Sequence, residues 1–119
     1  MKNETKNNWN WPESLDALKA APEHHKLLLE NDSVRVLDTL IKPGDITKVH
    51  THKWPATYYI LSWSDFVRRD ENDQVVLDSR NLESPPKLHT ALWSEPLPPH
   101  TLENVGSADI HLISVELKN

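Results

Sequence analysis

Two histidines separated by a single residue carry the strongest chemical signal in this chain. They lie in the pattern Gly44-x5-His50-x-His52. Residues i and i+2 of a strand point to the same face, about 6.5–7 Å apart along it, so two such imidazoles can reach one metal ion at about 2.0–2.1 Å from each nitrogen. A half-buried pair of strand histidines without a metal is the alternative that this motif by itself leaves open.

A third histidine, His100, follows the proline-rich segment 96–99 and precedes Asn104 by four residues. Taken alone, a histidine beside a proline loop is more often a surface residue than a ligand. The chain has no cysteine, which rules out disulfides and thiolate chemistry and leaves nitrogen and oxygen as the only ligands for a metal.

The composition limits the class of partner. The 119 residues carry a formal net charge of −5, which argues against nucleic acid and anionic membranes because both require clustered lysine and arginine. No apolar run approaches the roughly 18 residues of a membrane-spanning helix, and the first residues lack the apolar core of a signal peptide. We therefore expect a cytoplasmic protein whose partner is a small molecule or another protein.

The elements that must position the histidines are mostly strands. One short helix is predicted over 12–21, with Asn10 as its cap and Pro22 as its end. From residue 26 onward, about eight short aromatic and β-branched segments alternate with turns, which is typical of a barrel or sandwich. We predict an N-terminal arm and short helix over 1–25 and a β-barrel over 26–119.

The order of these features resembles the two-motif signature of the cupin superfamily over roughly residues 26–117. It consists of a glycine turn, H-x-H on a strand, an aromatic strand, a hairpin, a proline loop and His-x3-Asn. The resemblance implies an all-β fold, a single cupin (jelly-roll) β-barrel with one short N-terminal helix. It also implies that His50, His52 and His100 hold one divalent transition metal (iron, nickel or zinc), and that Asn104 braces a turn.

The sequence departs from the cupin pattern at the fourth ligand. The family places a glutamate four or five residues after His52, where this chain has Ala56 and Thr57. The resemblance therefore implies three neutral imidazoles around an ion with open coordination positions. Open positions are what a catalytic metal needs.

Strand alternation predicts which side chains surround the ion. Thr57, Tyr59 and Trp63 share one face of the aromatic strand, and Thr57 occupies the glutamate position, so we expect this face to point inward. Tyr59 is then the candidate catalytic residue, as a hydrogen-bond donor to the bound ligand. Trp63 either lines the cavity or fills the core.

Other polar residues give weaker signals. Arg35 can hold a carboxylate if it points inward, although an exposed arginine is more common. The remaining histidines, His24, His25, His89 and His111, are interpreted as solvated or packed side chains and not as ligands.

Several stretches, among them HTHKWPATYYILSWSDF and ALWSEPLPPHTLENVG, are similar to small cupins of bacterial β-alanine degradation. The resemblance implies a metalloenzyme of amino-acid catabolism that acts on a small carboxylate or keto metabolite by dioxygenase-like or Lewis-acid chemistry. It also implies a homodimer. A non-catalytic metabolite-binding or accessory module is the main alternative, and a metal-independent isomerase with a histidine general base is the least favoured one.

Overall fold

A computed structural model describes residues 9–118 of the chain, so residues 1–8 of the predicted N-terminal arm lie outside the described residues. The described part folds into two facing antiparallel sheets. The strands are β1 (His25–Glu30), β2 (Val34–Ile41), β3 (His50–His52), β4 (Ala56–Ser62), β5 (Phe66–Asp70), β6 (Val75–Asp78), β7 (Ala91–Ser94), β8 (Leu97–Asn104) and β9 (Ile110–Leu117). One sheet has the order β1-β2-β9-β4-β7 and the other β3-β8-β5-β6. The predicted all-β jelly-roll fold is confirmed.

The N-terminal helix is shorter than predicted. A 3-10 turn covers Glu13–Leu15 and the helix α1 covers only Ala17–Ala20. Asp16 separates the two with extended dihedral angles, and its carboxylate accepts a hydrogen bond from the Leu18 amide at 3.1 Å. Because an N-cap residue has non-helical angles, Asp16 begins the helix, and the prediction of a cap at Asn10 is wrong.

Strands β1 and β2 form an antiparallel hairpin. Along β2 every second residue is buried, and the strand pairs with β9 over its whole length. That alternation places Arg35, Leu37 and Thr39 on the buried face. By contrast, β1 is exposed from Lys26 to Glu30, and only His25 is buried.

The predicted aromatic strand over 57–69 is two strands in different sheets, since the chain turns at Ser64 and Asp65 between β4 and β5. Gly106 packs against this corner, and a Cβ at Gly106 would overlap Ser64 Oγ and lie 2.9 Å from the Asp65 amide nitrogen. Glycine is therefore required where the two turns meet.

The predicted proline loop before His100 is part of strand β8. His50 pairs with His100, whereas His52 pairs with Leu97, so one residue separates the β3 positions and two separate those of β8. Such a bulge leaves backbone positions outside the ladder, which suits Pro98 and Pro99 because neither has an N–H to donate.

The apolar core lies between the sheets below the histidines. Ile41, Phe66 and Ile110 are buried at its centre, with Trp63 and Leu102 packed against them. No helix in the described part of the chain is long and apolar enough to cross a membrane.

Candidate metal centre

Three histidines predicted as ligands lie together at one end of the space between the sheets. The ring centroids of His50 and His52 are 4.9 Å apart, and those of His50 and His100 are 4.4 Å apart. His50 and His100 are buried, at 2% and 4% exposure, while His52 is half-buried. The pairing of β3 with β8 places His50 opposite His100.

Backbone carbonyls fix the orientation of the two buried rings. Nδ1 of His50 lies 2.7 Å from the Lys48 carbonyl oxygen, and Nδ1 of His100 lies 2.7 Å from the Pro98 carbonyl oxygen. A carbonyl only accepts, so each Nδ1 carries the hydrogen and donates it. The lone pair of each ring is then on Nε2, the tautomer that outer hydrogen bonds impose on metal-binding histidines.

A fourth histidine joins this group. His25 begins β1, is 6% exposed, and donates from Nδ1 to the Ala21 carbonyl oxygen at 2.9 Å. The ligand atoms of His25, His50 and His52 all lie within 4.8 Å of one another, so these three side chains could hold a metal ion. His25, interpreted from the sequence as a solvated or packed side chain, is packed, and the structure places it within the histidine cluster. No alternation pattern in β1 could have revealed it, because the rest of that strand is exposed.

His52 is held by a chain of ionic contacts. Its Nδ1 lies 3.4 Å from Glu116 Oε2, and Glu116 Oε1 accepts from Arg35 Nε at 2.6 Å. Arg35 also donates to both carboxylate oxygens of Asp16, at 2.9 and 3.0 Å, and lies 5.0 Å from the ring centre of Trp54. Arg35 therefore points inward, which is one of the two alternatives given above. The carboxylates that it binds are side chains of this protein and not those of a ligand.

The environment keeps the buried histidines neutral. Burial, reinforced by the neighbouring imidazoles, lowers the pKa of His25 to about 4 and the pKa of His100 to about 3. Burial and the same neighbours also lower the pKa of His50. These rings therefore present free lone pairs at neutral pH, which is the form that binds metal.

Hydrogen bonds from His52 and Arg35 lower the pKa of Glu116, although burial alone would raise it. Glu116 is only 1% exposed, so its charge is balanced inside the protein. It stays an acceptor for the His52 ring, as carboxylates behind metal-binding histidines do.

The histidines open onto a cavity of about 400 Å³ between the two sheets. Besides the four rings, its polar lining includes Tyr58, Arg68 and Ser94, and Trp63, Leu77 and Leu102 line its apolar part. Burial raises the pKa of Tyr58, so its hydroxyl keeps its proton. The cavity thus offers hydrogen-bond donors beside a neutral imidazole cluster.

The predicted inward face of the aromatic strand is wrong. Thr57 and Tyr59 are exposed, Tyr59 at 43%, and the ring of Tyr59 faces His89 on the outside. Tyr58 lines the cavity instead, so the candidate catalytic role of Tyr59 has no geometric support. A bulge between Ile60 and Ser62 reverses the alternation, and Trp63 lines the cavity as predicted.

The other histidines lie elsewhere, as predicted. His24 contacts Asp45 at 3.2 Å and His111 contacts Asp38 at 2.9 Å. Asn104 holds the turn after β8, because its amide donates to the Ala108 carbonyl oxygen at 2.9 Å and its side-chain oxygen accepts from the Gly106 amide at 3.0 Å.

Comparison with known proteins bears on the fold. No protein-family model matches the chain, and no curated protein sequence matches it. A cupin domain from Bordetella pertussis is 14% identical, covers 80% of this chain and 92% of its own, and has a TM-score of 0.63. An RmlC-like cupin family protein with a double-stranded β-helix fold from Methanocaldococcus jannaschii is 11% identical over 78% and 77% of the two chains, with a TM-score of 0.55.

A further structure, a double-stranded β-helix protein from Klebsiella pneumoniae, is 16% identical and covers 99% of this chain and 90% of its own, with a TM-score of 0.55. At such identities the likeness concerns the backbone and not the chemistry. The chain therefore has the double-stranded β-helix fold of the cupins.

Proposed function

We propose that this protein binds one divalent transition metal through His50, His52 and His100, with His25 as a fourth nitrogen ligand. The observation that carries the proposal is the arrangement of Nδ1 atoms. His25, His50 and His100 each donate from Nδ1 to a backbone carbonyl, and His52 has Nδ1 beside a buried carboxylate. The four Nε2 atoms are then free to act as donors. The ligand atoms of His25, His50 and His52 lie within 4.8 Å of one another and the His100 ring centroid lies 4.4 Å from that of His50, so His25 would supply a fourth ligand where the family has a glutamate.

The donor set suits the chemistry of such an ion. Imidazole nitrogens bind iron, nickel, zinc and cobalt, so the ligands do not select among them. When bound, the ion supplies Lewis acidity, or redox chemistry with dioxygen if it is iron. The chain supplies the fixed rings, the hydroxyl of Tyr58 as a donor, and a cavity with a largely apolar lining.

The substrate in this proposal is a small carboxylate or keto metabolite of amino-acid catabolism, with β-alanine degradation as a possible setting. A cavity of about 400 Å³ is at the small end of the range of ligand sites. The exposed Leu27, Leu28 and Leu29 on the edge strand β1 support the homodimer that forms part of the same proposal.

A non-catalytic binding module is the second candidate, and one observation favours it. Among the described residues that line the cavity, Glu95 is the only carboxylate, and its Oε2 accepts from the indole nitrogen of Trp93 at 2.7 Å. The cavity therefore has no free carboxylate among these residues to serve as a general base.

Metal content tests the proposal most directly. Protein purified without chelator should contain close to one transition-metal ion per chain by elemental analysis. If none is found, even after reconstitution with ferrous iron, nickel and zinc, the metal-binding proposal is wrong.

Single substitutions identify the ligands. His50→Ala should weaken metal affinity by more than about 100-fold, since loss of an outer partner alone costs about 10–100-fold. His25→Ala and His100→Ala are compared in the same titration, and His111→Ala, which removes a histidine outside the cluster, is the control. An unchanged affinity in His25→Ala would remove that residue from the ligand set.

The two candidate functions differ in turnover. Metal-loaded protein is incubated with β-alanine, the aldehyde acid that its transamination yields and related small acids, in air and under argon. Consumption of a compound supports the enzyme, and dependence on air identifies oxygen chemistry. Saturable binding without consumption supports the binding module.

A further inference from the structure

A second arginine lies inside the barrel, with no acidic partner. Arg68 is on β5 and lines the cavity together with the histidines. Its Nε is buried and has no hydrogen-bond partner. Within residues 9–118 no carboxylate forms an ion pair with it, and its guanidinium lies 5.8 Å from the ring centre of Phe66.

An unpaired buried donor is costly, and a charged one more so. The carboxylate in the cavity lining, Glu95, is occupied by Trp93 and does not pair with Arg68. Burial lowers the pKa of Arg68, but an arginine stays protonated in proteins. The cavity therefore contains a positive charge that the described residues leave unbalanced.

The strand register places this charge near the histidines. Arg68 pairs with Leu102 on β8, and His100 lies two residues from Leu102. Leu102 and His100 both line the cavity, so Arg68 faces the same space. Diagonal neighbours of this kind are about 7–8 Å apart, a distance that a short bifunctional molecule spans.

We propose that Arg68 is the anchor for a carboxylate of the bound molecule, held by a bidentate pair of hydrogen bonds from Nε and the guanidinium nitrogen beside it. Guanidinium and carboxylate match in this geometry. This inference rests on the proposed function only at the other end of the ligand, where a donor group binds the metal. The ligand class is a short acid with a metal-binding group a few bonds from the carboxylate.

The test uses the full chain loaded with cobalt and a series of probes. Mercaptoacetate, 3-mercaptopropanoate and 4-mercaptobutanoate each offer a thiolate to the cobalt and a carboxylate at increasing distance. Their neutral amides are the matched controls. Thiolate binding to cobalt gives a charge-transfer absorbance from which each Kd is measured.

In the unmodified protein at least one acid should bind about 10–100-fold more tightly than its amide, the range expected for hydrogen bonds to a charged group. Arg68→Met should remove this preference and leave the amide affinity unchanged. Arg69→Met is the control, because Arg69 lies beside Arg68 but pairs with Glu103 at 2.9 Å, and it should keep the preference. An unmodified protein without the preference, or an Arg68→Met variant that keeps it, overturns the proposal.

A second measurement is made on the unmodified protein and does not depend on cobalt. It therefore still tests the proposal if Arg68→Met does not fold or if the protein takes up no cobalt. The Nε–H signal of Arg68 in the ¹H–¹⁵N spectrum of the unmodified protein is assigned by its loss in Arg68→Lys. At least one of the three acids should shift this signal and its amide should not. Absence of cobalt uptake would overturn the proposed metal site alone, whereas an unshifted Nε–H signal would overturn the role of Arg68 alone.

Discussion

Two arginines in this barrel are both shielded from solvent but have opposite surroundings. Arg35 on β2 is 5% exposed and donates to two carboxylates, those of Glu116 and Asp16. Arg68 on β5 has a buried Nε with no hydrogen-bond partner among residues 9–118. The first closes a network within the chain, while the second leaves part of its binding capacity unused.

The difference distinguishes an arginine that holds the fold together from one that is suited to ligand recognition. The Arg35 network joins β2 to β9 and to the residue before α1, and it ends on the His52 ring, so it supports the histidine cluster from behind. Arg68 faces the cavity itself, and only a molecule within that cavity can complete its hydrogen bonds. A buried charge without a partner inside the chain is thus a marker for a ligand.

The largest expected effect comes from breaking the satisfied arginine. Arg35→Met leaves the carboxylates of Glu116 and Asp16 shielded and unpaired, and removing one partner of a buried ion pair costs about 3–5 kcal/mol of unfolding free energy. Urea unfolding followed by circular dichroism measures the change. Arg80→Met, which breaks an exposed pair with Asp78, is the control and should cost less than about 1 kcal/mol. Equal losses in the two variants would contradict a structural role for Arg35.

In metal-free protein, lowering the pH should affect the buried His25 first and the carboxylates bound to Arg35 at lower pH. Burial lowers the pKa of His25 from 6.5 to about 4, so the unfolded chain binds more protons in that interval and stability falls as pH drops through it. Arg35→Met should show this loss too. Below pH 4 the unmodified protein should lose further stability as Asp16 and Glu116, whose pKa values Arg35 holds down, take up protons.

The difference in unfolding free energy between the unmodified protein and Arg35→Met should therefore shrink below about pH 4. Urea unfolding at a series of pH values, with chelator present, measures it. A constant difference down to pH 2 would mean that Arg35 does not stabilise these carboxylates.

A smaller effect is expected where the Arg35 network meets the metal site. Glu116→Gln keeps the shape of the side chain but removes the charge behind His52, and loss of such an outer partner lowers metal affinity about 10–100-fold. Competition against a chelator of known affinity measures this loss. Glu103→Gln alters a carboxylate on β8 that pairs with Arg69, and it should leave metal affinity unchanged.

The smallest effect is expected from the unsatisfied arginine. Arg68→Met removes a desolvated charge without leaving a carboxylate unpaired, so the unfolding free energy should change by less than about 1 kcal/mol, or rise. The same urea measurement applies. A loss as large as that of Arg35→Met would show that Arg68 has a structural partner and would erase the contrast between the two residues.

Local patterns predicted much of the fold and part of the site. The spacing of His50 and His52 predicts a shared face, and the resemblance extends the group to His100, because pairing of β3 with β8 is a feature of the fold. The hairpin of β1 and β2 follows from a turn between two apolar segments. These features depend on neighbours in the chain or on a known topology.

The predictions failed where the face of a strand was assigned wrongly and where a contact joins residues far apart in the sequence. Counting in twos from Thr57 as the glutamate position predicts Tyr59 in the cavity, but the buried neighbour is Ala56, which shares its face with Tyr58. His25 comes from a strand whose other residues are exposed, and Arg68 lies in a short strand without clear alternation. Packing of one sheet on the other brings His25 to the histidines, and pairing of β5 with β8 brings Arg68 to them.

The position of His25 has a kinetic consequence. Strand β1 is the edge of its sheet, paired only with β2, and His25 is its first residue. Ends of edge strands open locally far more often than the whole protein unfolds. An ion held in part by His25 would therefore leave at a rate set by the opening of this strand, and bound metal would slow hydrogen exchange of the β1 amides more than that of the central strands.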